Sequence, residues 1–338
     1  MAITIEEARK YGYVFDGCRA WNTPKDRAML VQDAALATAP NIGVPVEFTA
    51  YIDPQVIEIM SAPRNARRLF GEEKKGDWTT PYSKFRVSEM VGGSQPYSDY
   101  ADGGVSDVNN EWVSRAQYLF QTTITYGDFE VALSSEAKLN LAADKQKAAA
   151  TRLDIDGNKF YLTGVANTGI SGLFNDPNLP ASIAAGNNSA GTSTKWADKK
   201  SVEIYNDILA LFARLAKQSN GLIDQNTPLK LCLSPAMNTF LGAATDFNVS
   251  VYDMIKKYFA DIEVIPFPEL ASLDGDETVF LIAPAVAGQP SATLGYSEKL
   301  RSGRIVPELS SFRQKFVSST YGGIVYMPFA FASMTGIA

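Results

Sequence analysis

A charged, helix-periodic stretch that halts in glycines constrains this chain more than any other feature. It begins near Ser134, runs through SSEAKLNLAADKQKAAATRLDIDGNKFYLTG, and gives way to VANTGISGLFNDPNLP, Val165 to Pro180. Ala137, Leu141, Ala148, Ile155 and Leu162 fall on one stripe, broadened by Ala149, Leu153 and Phe160, with acids and bases on the other faces. At 1.5 Å per residue, about 28 residues reach ~42 Å, longer than a small domain is wide. Such a helix is a strut. Gly157 costs only ~1 kcal/mol in a helix interior, so it bends the strut without ending it, and Gly164 and Gly169 supply the stop. The chain beyond that joint reads as a second domain.

The composition narrows the chemistry. None of the 338 residues is histidine, so no imidazole is available as a general base or metal ligand. Cys18 and Cys232 are the two cysteines, far apart and outside any CxxC pair. A zinc site would need carboxylates alone, and no disulfide between them is expected of a chain made where thiols stay reduced. No GxxxxGK[ST] loop and no GxGxxG fingerprint occurs. LDIDGNKFYL resembles a calcium loop only superficially: its glycine is fourth rather than sixth, and Val165 stands where a bidentate Glu belongs. A formal net charge of −6 gives no general basic field for nucleic acid or an anionic membrane. MAITIEEARKYGYVFDG lacks an apolar core, and no apolar run approaches the ~20 residues of a membrane span. A soluble product of the cytoplasm is expected, large enough to bury roughly 75% of its unfolded surface.

Along the chain, residues 1 to about 50 show little periodicity. Ala34 to Pro45 is small-residue sequence broken by proline, yet Tyr11, Tyr13, Phe15, Trp21, Phe48 and Tyr51 make it too aromatic for a disordered tail. An extended arm lying across another surface is expected. Asp53 and Pro54 suit the start of a helix carrying Val56, Ile57 and Met60, which Pro63 breaks. Arg64, Arg67 and Arg68 follow, either as a salt-bridged face or as cations for a neighbouring subunit.

Residues 78–126 read as one long hairpin. Phe85 and Val87 alternate with Lys84, Arg86 and Ser88. On the return, Trp112, Ala116, Tyr118, Phe120, Ile124 and Tyr126 oppose Arg115, Gln117, Gln121 and Thr123. The polar segment between them, Gly92 to Glu111, reads as a loop. A ribbon of this length is marginal unless it docks on something.

After a small-residue linker at 181–198 comes an α/β stretch. Ile204, Ile208, Leu211 and Leu215 mark a helix, LKLCL a buried strand, and Ser234-Pro235 and Ser250 with Asp253 two helix starts. Further strands are expected at Ile262 to Pro266 and Thr278 to Ala283, flanking the turn SLDGDE, and the last forty residues return to strand. GEEKKGDW, Gly71 to Trp78, reads as a self-compensating turn. No catalytic, cofactor-binding or metal-binding residue stands out, and no cofactor is implied.

The order of parts resembles that of the major capsid proteins of tailed phages, whose Hong Kong ninety-seven fold is shared with herpesvirus floor domains and encapsulins. The most specific local match is GISGLFNDPNLP, since members often leave the spine with a Gly-[IL]-x-Gly-Leu-x-Asn phrase. The resemblance implies an α+β capsid fold. Residues 1–50 would be the N-terminal arm, 51–77 a peripheral helix region, 78–126 the extended loop, and 127–180 the spine helix and joint. Residues 181–290 would be an α/β axial domain, and 291–338 would return to the peripheral sheet. It implies a non-enzymatic shell subunit that assembles with itself into hexamers and pentamers, in the host cytoplasm, to form a virion head. Scaffolding, portal and decoration proteins are implied partners, with packaged DNA contacted non-specifically and no membrane. Flexible joints at Gly169 and Gly172 would let one chain fit both rings. Two other readings stay open: an encapsulin-type compartment, and an oligomeric enzyme using carboxylates such as Asp274 or Asp276.

Overall fold

The computed structural model describes residues 63–338 apart from 101–102, 138–139, 246–247 and 274. The arm expected over 1–50, the helix at Asp53–Met60 and Cys18 therefore lie outside the described residues. Ala62–Ala338 form one compact unit.

A short helix α1 (Ala66–Leu69) leads into strand β1 (Glu72–Lys74). Strands β2 (Tyr82–Gly92) and β3 (Ser106–Ala116) form an antiparallel ribbon, and β4 (Tyr118–Gly127) follows after Gln117. Helices α2 (Asp128–Glu136) and α3 (Leu141–Thr163) come next. After β5 (Ile183–Ala184) the chain builds α4 (Ser201–Gln218), β6 (Leu229–Leu233), α5 (Pro235–Phe240), α6 (Val251–Tyr258), β7 (Ile262–Pro266) and β8 (Val279–Ile282). A small hairpin, β9 (Ala285–Val286) with β10 (Gln289–Pro290), precedes β11 (Ala292–Tyr296). The chain closes with β12 (Arg301–Pro307), β13 (Ser311–Thr320), β14 (Gly322–Val325) and β15 (Phe331–Thr335).

The central layer is a five-stranded sheet of order β5-β15-β8-β6-β7. Strand β8 is a continuous apolar run, and β6 is one broken only by Lys230, as expected where both faces are covered. Leu229, Leu231 and Leu233 of β6 are buried with all four residues of β8. Helix α4 closes on the same core through Ile204, Ile208, Leu211 and Leu215. The expected helix starts are present: the Ser234 hydroxyl accepts from Met237 N at 3.2 Å and the Ser250 hydroxyl from Asp253 N at 3.1 Å.

A second layer is the sheet β12-β13-β4 with α3 across one face. Ala149 and Leu153 of the helix pack with Phe316, Phe120 and Ile124 of the sheet. The Phe160 ring meets Phe120 edge-on, with centroids 5.0 Å apart.

Several expectations change. The strut is two helices rather than one from Ser134: α2 ends at Glu136, and the Asn140 side chain caps α3 by accepting from Ala143 N at 3.3 Å. The remaining 23 residues span ~34 Å. The buried face also differs. Ala149, Leu153, Asn158, Tyr161 and Leu162 are buried, whereas Ala148 is exposed. Residues repeated every seven drift ~20° per step around a straight helix, so that stripe rotates off the core.

The hairpin closes at Tyr82↔Ala116, and β4 pairs instead with β13 over Tyr118↔Thr320 to Gly127↔Ser311. Gln117 makes the break, its N–H donating to Pro81 O at 2.8 Å and its amide to the Ser297 hydroxyl. Within the expected polar loop, Ser106 to Glu111 is strand, paired with Gly92 to Val87. Period-two alternation runs unbroken through β3 and β4, and it does not encode which strand pairs with which.

The last strand does not return to the sheet of β4. Strand β15 pairs with β8, Phe331↔Ile282 to Met334↔Val279, in the five-stranded sheet. Phe331, Ala332 and Met334 are buried, and only a strand covered on both faces can hide them. Finally, SLDGDE is not a hairpin turn between paired strands. Strands β7 and β8 both pair with β6 and not with each other, and Leu273 and Asp276 close the turn as a bridge.

Candidate assembly surfaces

The ribbon β2-β3 is exposed along most of its length. At ~3.4 Å per residue its eleven-residue strands extend ~37 Å. Its base is fastened to the body. The Arg115 guanidinium pairs with Asp176, whose side chain is 0% exposed, and Asp176 also accepts from the Ser171 hydroxyl at 2.9 Å. The Phe85 ring meets Tyr326 edge-on at 6.0 Å, and the Tyr321 hydroxyl donates to Thr80 O at 2.9 Å.

Beyond the base the ribbon is uncovered on both faces. One face carries Lys84, Arg86, Met90, Val108 and Trp112, with Met90 91% and Trp112 64% exposed. The opposite face carries Val87, Val91, Asp107 and Glu111. The ribbon is thus basic and aromatic on one side, acidic and aliphatic on the other.

The three-stranded sheet offers a second open surface. Its inner residues Phe120, Ile124, Gln314 and Phe316 turn to α3. The alternate residues Gln121, Thr123, Thr125, Arg313 and Lys315 are exposed. With Arg304 and Val306 of β12 these line a shallow groove of about 550 Å³. Among the described residues Arg313 meets Glu308 at 3.3 Å, while Arg304 and Lys315 have no ion-pair partner. At the end of this sheet, Phe129 and Leu133 of α2 and Leu309 are exposed, and none of the α2 residues is buried.

The glycine joint is a clasp. Gly164 has φ +68°, and a Cβ there would stand 2.2 Å from Ile170 O. At Gly172 a Cβ would stand 2.3 Å from Leu162 O. The Asn175 side chain accepts from Gly172 N at 2.7 Å and donates to Thr163 O at 2.6 Å, and Leu173 N and Phe174 N return to the carbonyls of Tyr161 and Leu162. The flexibility expected at Gly172 is replaced by backbone-on-backbone packing, while Gly169 sits in an open tight turn at φ +71°.

Arg64, Arg67 and Arg68 form a salt-bridged face within the chain. Arg64 pairs with Asp154, Arg67 with Asp154 at 2.6 Å and Glu72 at 2.8 Å, and Arg68 with Glu263 at 2.7 Å. Burial works against the Glu72 carboxylate, but hydrogen bonds from Lys299 and Arg67 outweigh it and hold its pKa below the usual range. The segment Gly71 to Trp78 is part strand, Glu72 to Lys74 pairing parallel with Leu294 to Tyr296. Within it only Glu73–Lys75 and Lys74–Asp77 compensate each other.

Asp276 is structural: Oδ1 accepts from Glu277 N at 2.8 Å and Oδ2 from Gly336 N at 2.9 Å. Asp274 lies outside the described residues. The Cys232 thiol is fully buried, which pushes its pKa up and keeps it unreactive. Among the described residues no cluster of acids and cysteines could hold a metal, and no helix is long and apolar enough to cross a membrane.

Sequence reasoning missed the cationic sheet face and the Arg115 anchor. The signal for the first was present in FRQKF, where Arg313 and Lys315 fall two apart and so on one face of a strand. Nothing local marks Arg115, whose partner lies 61 residues away.

A family model described as the Pa193 gp26 major capsid protein matches residues 35–336. No curated protein matches the chain. Among solved structures, the chain is similar to the capsid of Myoviridae phage XM1, with a TM-score of 0.70 at 11% identity over 87% of this chain and 99% of that one. It is similar to the Microbacterium phage Oxtober96 structure, TM-score 0.60 at 11% identity over 86% and 97%. The capsid of an empty GTA particle gives 0.59 at 11% identity over 89% and 100%. At such identities the likeness is one of fold, and the fold is that of phage capsid chains.

Proposed function

Because the chain belongs to the Pa193 gp26 major capsid protein family, we propose that it builds its head shell as hexamers and pentamers, with the β2-β3 ribbon reaching across to a neighbouring copy. As a major capsid protein it is a structural component of the head. The proposed shell encloses double-stranded DNA and assembles in the host cytoplasm, with scaffolding and portal proteins as partners. No catalytic role is assigned to any residue.

The observation that carries this reading is the ribbon. A two-stranded sheet is marginal alone, and this one is open on both faces along most of ~37 Å while presenting Trp112, Met90 and Val87 to solvent. An element so built gains its stability from a partner. Many such contacts, each modest, sum through multivalency into a closed lattice. An encapsulin-type compartment has less support, since the matched family is one of phage capsid proteins.

The test is electron microscopy with sedimentation on the purified chain and on a variant lacking 87–111, the gap closed by a two-residue Asn-Gly turn. Wild type should form rings, tubes or closed shells, alone or with its scaffold. The variant should stay folded and soluble yet form none. Normal particles from the variant would refute the role of the ribbon, and a small discrete oligomer of wild type that ignores concentration and scaffold would refute the shell reading.

A further inference from the structure

We infer that the Arg115–Asp176 pair couples the base of the β2-β3 ribbon to the glycine clasp at the end of α3. A shift at either one is then passed to the other within the same chain. The coupling belongs to the single subunit. Its use in a lattice, where a neighbour holding the ribbon would set the joint between α3 and the five-stranded body, rests on the reading of the ribbon as an inter-subunit element.

Two consecutive side chains make the link. Asn175 holds the end of the helix, accepting from Gly172 N at 2.7 Å and donating to Thr163 O at 2.6 Å. Asp176 holds the ribbon. Its Oδ2 receives the Arg115 guanidinium and, at 2.9 Å, the Ser171 hydroxyl, while its Oδ1 accepts from Asn178 N at 3.0 Å. Arg115 also donates to the Ser171 hydroxyl. The ribbon therefore grips the clasp at Ser171 and at Asp176, on either side of Leu173 and Phe174.

The segment between those grips has no slack. Leu173 N and Phe174 N donate to Tyr161 O and Leu162 O at 2.9 and 3.0 Å. Strand β14 lies so close that a Cβ at Gly322 would stand 2.4 Å from Ser171 O. Close-packed backbone transmits displacement and has discrete arrangements, so a shift at Ser171 or Asp176 carries the segment with it.

A second arrangement is open to the pair. Asn175 and Asp176 line a cavity of about 290 Å³ together with Ser182, Thr278, Ser333 and Thr335. At ~30 Å³ per water that volume takes several, and the hydroxyls give them partners, so the carboxylate can turn toward solvent when Arg115 withdraws. With Arg115 in place the Asp176 side chain is 0% exposed and the ribbon is anchored. With it withdrawn, ribbon base and clasp loosen together. These are the two states that a coupling requires.

Amide exchange on the unassembled full chain tests it, each rate taken relative to Leu231 and Cys232 of β6, which report global unfolding. In Arg115→Met, exchange at Leu173 and Phe174 should rise at least about tenfold, alongside the rise in the ribbon. Asn175 is exposed, and its two bonds are to the clasp and to α3. Because coupling is reciprocal, Asn175→Ala should still speed exchange across the ribbon base, residues 82–85 and 113–116, at least about threefold. In the double variant Asn175→Ala should change those ribbon amides by less than about twofold, the link having already been cut.

An Arg115→Met chain that exchanges faster in the ribbon but stays within about twofold of wild type at Leu173 and Phe174 overturns the inference. So does an Asn175→Ala chain with an unchanged ribbon base. The readout needs no assembly. A wild-type chain that never forms rings or shells would refute the shell reading and leave the coupling standing.

Discussion

Arg115 decides where the ribbon points, and replacing it by methionine exposes the energetics of that anchor. Its partner Asp176 is entirely buried, with Oδ2 receiving Arg115 and the Ser171 hydroxyl and Oδ1 accepting from Asn178 N at 3.0 Å. Removing one member of a buried pair costs ~3–5 kcal/mol, because the other charge stays behind unpaired. Two donors remain to Asp176 in Arg115→Met, which places the loss at the lower end, about 3 kcal/mol. At ~2–4 °C per kcal/mol for a body of this size, Tm should fall by about 6–12 °C. In Arg115→Met with Asp176→Asn no charge is stranded, and the loss should shrink to ~1 kcal/mol. Urea unfolding of the unassembled subunit measures both, and amide exchange reads the consequence for function. Protection across Tyr82–Gly92 and Ser106–Ala116 should fall in the single variant more than in the central sheet. A single variant within 1 kcal/mol of wild type, or a double variant less stable than the single, would refute the reasoning.

Gly172→Ala should destabilise by at least about 3 kcal/mol in urea, since its Cβ would stand 2.3 Å from Leu162 O and 2.5 Å from Gly164 N, while Gly169→Ala, in open space at φ +71°, should cost only ~1–2 kcal/mol. Near-equal losses would show that the clasp yields. Burial pushes the Glu269 carboxyl up, against the hydrogen bond from Asn158 at 3.1 Å, and its Oε2 is buried without a partner. A raised acid destabilises the fold above its folded pKa and does nothing below its unfolded one. Glu269→Gln should therefore stabilise the fold at pH 7, and that gain should fade as pH falls through the raised folded pKa and be gone below the usual 4.5, read from Tm across pH. An equal gain at pH 3 would contradict this.

Much of the architecture was legible because it follows from local pattern. Leu229 to Leu233 is a strand and Ile204 to Leu215 a helix because their apolar spacing admits little else, and Ser234 and Ser250 cap their helices through bonds that span three residues. Asn140 was an overlooked stop of the same local kind. The stop at Gly164 and the Gly-Ile-Ser-Gly-Leu-Phe-Asn phrase were also readable, and so was the order of parts that led to the capsid resemblance.

What only tertiary structure decided is partnership. The alternation of β3 and β4 is continuous, yet one half makes a free ribbon and the other a covered sheet, because β13, nearly two hundred residues on, supplies the second strand. Strand β15 is apolar on both faces, so it needed a covered slot, and β8 had one open edge. Gly172 reads as a flexible residue in sequence and becomes rigid because another backbone lies where its side chain would be. Periodicity specifies which face of an element is apolar. Which surface covers that face, and which face is left bare for a neighbour, depends on loop closures and long-range contacts that no window of sequence contains.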